Sequence, residues 1–109
     1  MKISTQDIPA VLTEFLDAQV APKASGLQKF GAYALMFVVN NKMPEITARY
    51  TPIMKMVGLM GDDGLIDLDY AHNMISDAMS HAGRVNVLGY LVDAPDVESI
   101  YAIAQRHGR

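Results

Sequence analysis

The chain has 109 residues, half of them hydrophobic and 19% charged, with no cysteine and no tryptophan. Folding a chain of this size buries roughly 65% of its extended surface, which suits one domain spanning residues 1–109. The missing cysteines exclude a disulfide framework, a thiolate zinc site and a cysteine nucleophile. A net charge of −3 leaves no basic excess for binding phosphates, and nucleic acid is not an expected partner.

Met1–Ala10 contains one lysine and no apolar run, so it does not have the form of a signal peptide. Asp7 is placed to cap a first helix, with Pro9 in its first turn. Ile8, Val11, Leu12, Phe15 and Leu16 follow helical spacing, and Pro22 predicts a stop near Val20. Ser25 predicts the cap of a second helix, ended by Asn40-Asn41. In that helix Leu27, Phe30, Ala34, Phe37 and Val38 form one stripe, while Tyr33, Leu35, Met36 and Val39 fill much of the rest. The apolar run Phe30–Val39 is about half the length of a membrane span, so no membrane is expected and the cytoplasm is the default location.

Pro44 predicts a new helix start, and Pro52 a break at Tyr50-Thr51 followed by a piece capped by Thr51. One kinked helix is the alternative. Gly61-Asp62-Asp63-Gly64 predicts a turn. Asp67 or Asp69 then caps a helix carrying Leu68, Ala71, Ile75, Ala78, Met79 and Ala82, ended by Gly83. Residues 85–92, interrupted by Gly89, predict a short hairpin or bulged strand with which Leu65-Ile66 can pair. Asp93 caps a last helix striped by Val97, Ile100, Tyr101 and Ala104. The fold class is therefore mainly α: a compact bundle of four to six helices with a small β hairpin near 85–92.

No Lys or Arg lies between Met56 and Gly83, where Asp62, Asp63, Asp67, Asp69 and Asp77 give a local charge of −5. The turn fails as an EF-hand loop, because with Gly64 at position 6 the essential acidic positions 1 and 12 fall on Leu59 and Tyr70. The plain reading is a turn followed by a capped helix start, where aspartates favour the positive end of the dipole. His72 and His81 lie nine residues apart, on opposite sides of a helix, so they cannot converge on one metal. Each has an aspartate at helical spacing, Asp69 and Asp77, so solvated His–Asp pairs are expected. No catalytic, cofactor or metal motif stands out. Five of the eight methionines (Met54, Met56, Met60, Met74 and Met79) surround the acidic turn, and such side chains suit irregular cores or adaptable contact surfaces. Met56, Met60, Asp62 and Asp63 are therefore candidate contacts for a basic protein partner.

The stretch from Lys55 to Tyr70 resembles a segment of small uncharacterised proteins from phages and prophages of Gram-positive bacteria. In these a "D-x-G-x-I-D-L-D" turn and helix leads to a short β stretch, and a terminal helix opens in the manner of Val92–Tyr101. The resemblance implies a phage-related origin and no assigned activity. The expectation is a non-enzymatic protein acting through binding or assembly, with a homo-oligomer covering the apolar second helix. The alternative is a metal- or ligand-dependent enzyme using Asp62, Asp63, Asp67, Asp69 and His72.

Overall fold

The computed structural model describes residues 1–87 and 90–109. In chain order the elements are β1 (Lys2–Ser4), α1 (Ile8–Phe15), α2 (Gly26–Met56), β2 (Leu65–Asp67), α3 (Leu68–Ala82), β3 (Val85–Val87), β4 (Tyr90–Val92) and α4 (Ala94–His107). A 3-10 turn at Thr5–Asp7 leads into α1, and a π turn at Leu16–Val20 ends it. The class is mainly α, as the periodicity predicts, with two small antiparallel pairs, β1–β2 and β3–β4.

Three of the expected caps, Ser25, Asp67 and Asp93, act where the sequence places them. Ser25 and Gln28 form a reciprocal capping box at the start of α2, and Asp93 and Asp96 form another at the start of α4. Of the two candidates for α3, Asp67 is the cap: its Oδ1 accepts from Tyr70 N at 3.0 Å. Gly83 closes α3 with φ 75°, a left-handed conformation in which a β-carbon would be strained. Asp7 precedes α1 but makes no side-chain cap bond.

Two expectations need correction. Asn40-Asn41 does not end the second helix and Pro44 starts no new one; across Pro52 the single-helix alternative holds, and α2 runs for 31 residues with both prolines inside it. Each proline removes one backbone bond. The inward face nevertheless keeps helical spacing through Ala32, Met36, Val39, Met43, Thr47 and Met54, all buried or half-buried. Packing along that face holds the helix together across the prolines. Thr51 does not cap a second piece; its Oγ1 donates to Thr47 O at 2.6 Å, a back-bond of the kind that bends helices.

The partner of β2 is β1, near the start of the chain, with Ile3 lying opposite Ile66, and not the described residues of 85–92. On its other side Met60 bridges to Ile66, and Asp67 N donates to Leu59 O at 3.0 Å. The acidic turn is thus the tip of a hairpin whose second arm is β2. The expected hairpin near 85–92 is present, Val85–Val87 pairing antiparallel with Tyr90–Val92, and its interruption at Gly89 lies outside the described residues.

The core gathers Ile3, Val11, Phe15, Met60, Ile66, Leu68, Ile103 and Ala104. It therefore joins α1, the hairpin, the start of α3 and the end of α4. Glu14 of α1 ties the far end of α4, accepting from Arg106 Nη2 at 3.0 Å and meeting His107 Nε2 at 2.8 Å. Only the C-terminal part of α2, through Met54, packs on this core. The N-terminal half is tied to the π turn through Tyr33 and Asp17, with Met36 its sole buried residue among those described.

Candidate functional site

The acidic segment dissolves into separate local tasks. Asp63 Oδ2 accepts from Lys2 Nζ at 3.0 Å, and its Oδ1 accepts from Leu65 N at 3.0 Å, so it braces the hairpin tip against β1. Those bonds hold its carboxyl below the usual range, the Leu65 amide contributing most, and the same pair pushes the Lys2 ammonium up. Asp67 is occupied as a cap. Asp69 accepts from the Tyr101 hydroxyl and from the Met1 ammonium. Asp62 stays on the surface. Among the described residues, no group of three or more His, Asp or Glu side chains is arranged to hold a metal ion.

The histidines also find partners other than those expected. His72 Nε2 meets Glu98 of α4 at 2.7 Å, not Asp69, and its ring stacks on Tyr101. His81 reaches the backbone carbonyl of Asp77, not its carboxylate, at 2.9 Å. Tertiary packing of α3 on α4 brought Glu98 within reach, a partner 26 residues away that helical spacing cannot reveal.

Of the four candidate contact residues, Met60 is 5% exposed and belongs to the core, held there by its bridge to Ile66. Met56 is 79% exposed at the end of α2, beside Val57, while Asp62 and Asp63 stand at the hairpin tip. The signal for Met60 was present in the sequence: Leu59-Met60 and Leu65-Ile66 flank a glycine turn, the pattern of a hairpin with paired apolar arms. Two surface grooves accompany these features. One, of about 460 Å³, lies between the end of α1 and α4 and includes Glu14, Asp17 and Arg106. The other, of about 470 Å³, lies between the 3-10 turn and the Asn40–Ala48 stretch of α2.

The outward face of α2 is apolar and exposed. Leu27 is 82% exposed, Phe30 74%, Phe37 68% and Val38 53%. Ala34 lies between them, also exposed. This is the stripe read from the sequence, and the protomer leaves it in water while using the opposite face for packing. Tyr33, at the edge, donates its hydroxyl hydrogen to Asp17, which fixes this half of the helix against the π turn.

No family model matches the chain, and searches of curated proteins and of solved structures return no match. No described helix is long and apolar enough to cross a membrane.

Proposed function

We propose that this chain is a non-enzymatic assembly protein that works as a homodimer joined through the outward face of α2. The observation that supports this reading is the contiguous exposure of Leu27, Phe30, Phe37 and Val38 on one helix face. Aromatic side chains carry about 150–250 Å² each and Leu and Val somewhat less, so these four, at their fractional exposures, present roughly 500 Å² per protomer. Two copies would remove about 1,000 Å² from water before flanking residues count, the size at which a specific interface begins. Single exposed apolar residues are ordinary, whereas a contiguous patch of several hundred Å² is often functional.

A phage-related origin belongs to the same proposal, supported by the resemblance of Lys55–Tyr70. The enzyme reading has less behind it, because Asp63, Asp67 and Asp69 are engaged by Lys2, the Tyr70 amide and Tyr101 respectively and do not converge.

Light scattering coupled to size exclusion tests the proposal. The wild-type chain is expected at twice its 11.9 kDa mass at micromolar concentration. Phe37→Asp is expected to run as a monomer with unchanged helical circular dichroism, since Phe37 is outside the core. A wild-type monomer throughout that range overturns the reading.

A further inference from the structure

The exposed stripe has a spacing that says how a second helix would lie on it. Leu27, Phe30, Ala34, Phe37 and Asn41 are separated by three, four, three and four residues, and all five are exposed. That alternation is the a/d seam of paired helices. The positions flanking the seam, Gly31, Tyr33, Val38 and Asn40, carry no charge, and Lys29 is the only charged residue between Ser25 and Asn41. Nothing on this surface repels a second copy, and nothing on it selects a partner by charge. Pro44, at the next seam position, bounds the contact.

Gly31 supplies an independent observation. A methyl group placed there meets nothing within 4 Å, and its φ is not positive. Inside the protomer, glycine at this point of a helix has a cost and no purpose. A closely approaching second helix gives it one.

We propose that two copies of this chain pair through the seam in parallel and in register, so that Leu27, Ala34 and Asn41 each meet their own counterpart and Phe30 of one copy lies over Gly31 of the other. This rests on the homodimer reading above. The direction follows from Asn41. An amide buried in an apolar seam needs a polar partner, and asparagine at a single a position is a known means of fixing register. Parallel register sets Asn41 against Asn41, whereas an antiparallel pair centred on Ala34 sets it against Leu27. The parallel arrangement also turns the Phe30–Phe37 side of one helix toward the Gly31–Val38 side of the other, large against small. The antiparallel one sets Phe30 against Phe37 and leaves Gly31 beneath Val38.

Because the chain has no native cysteine, single-cysteine variants report the arrangement directly. Leu27→Cys and Ala34→Cys are expected to lose their monomer band on a non-reducing gel after mild oxidation. Asn73→Cys, exposed on α3, is the control for random collision and is expected to keep it. Asn41→Asp, which faces two carboxylates in the parallel pair, is expected to weaken dimerisation about tenfold at neutral pH. Cross-linking of Ala34→Cys without Leu27→Cys, or an Asn41→Asp dimer of unchanged affinity, overturns the parallel seam. If neither seam cysteine cross-links faster than the control while the wild type keeps its dimer mass, the seam is wrong and the homodimer stands. A monomeric wild type overturns both.

Discussion

The imidazole of His72 on α3 stacks on the phenol of Tyr101 on α4, with ring centroids 4.2 Å apart and planes inclined by 27°. The Tyr101 hydroxyl continues past the stack to donate to Asp69, and Glu98 of α4 closes the group on His72. The Tyr101 hydroxyl, and then the Met1 ammonium, hold the Asp69 carboxyl below its usual range; Asp69 in turn pushes the Tyr101 phenol up. The two shifts act on opposite sides of neutrality. A lowered Asp69 contributes stability above its unfolded value, about 3.9, and loses it as pH falls through the folded value. A raised Tyr101 contributes below its unfolded value, about 10, and loses it as pH rises through the folded one. Tyr101→Phe keeps the stack and removes the donor. Asp69 is then expected to titrate closer to an ordinary carboxylate by NMR, and an unmoved Asp69 titration would contradict the assignment.

Adjacent aspartates at the hairpin tip are predicted to behave differently. Asp63 binds both Lys2 and the Leu65 amide, whereas Asp62 is exposed. Asp63→Asn weakens the brace between β1 and the tip and is expected to lower the melting temperature. Asp62→Asn is expected to leave it unchanged. If a basic protein partner binds this tip, Asp62→Lys removes that partner from a pull-down without loosening the fold. Because Asp63 is lowered and lies next to Lys2, the Asp63 contribution should also fade as pH falls through the folded carboxyl value.

Ile66 is the residue on which the core turns. It lies opposite Ile3, receives the Met60 bridge and is 7% exposed. Ile66→Ala leaves a cavity where three chain segments meet and is expected to destabilise by about 2–5 kcal/mol in urea unfolding. Ile75→Ala, on the exposed side of α3, is expected to change stability by less than about 0.5 kcal/mol. Equal losses at the two positions would mean that the core is centred elsewhere.

Three helix starts were legible locally, because a cap needs only its own side chain and the next three residues. Ser25, Asp67 and Asp93 are found in those roles. Pairing across the chain left no such local mark. β1 meets β2 more than sixty residues later, and a three-residue strand has too little alternation to announce itself. The continuity of α2 was hidden for a different reason. Asn40-Asn41, Pro44 and Pro52 are each unfavourable in a helix on their own, and only packing along Met36, Val39, Met43 and Thr47 outweighs them. The apolar stripe from Leu27 to Val38 was legible at once, but its outward direction was not. Which side of an all-round apolar helix faces the protomer depends on where α1 lies.

Gly31 separates the stability of the protomer from the affinity of the pair. Within one copy, Gly31→Ala meets open space and replaces the most flexible residue in a helix with the best helix former. That change is expected to stabilise α2 by about 1 kcal/mol. Between copies, the added methyl occupies the space under Phe30 and holds the two backbones apart. The variant should therefore show higher resistance to urea at concentrations where the chain is monomeric, together with a larger dimer dissociation constant by sedimentation. Two opposite responses from one methyl group are the signature of a glycine kept for close helix approach. If Gly31→Ala strengthens the protomer and leaves dimerisation untouched, the helices do not approach at this position.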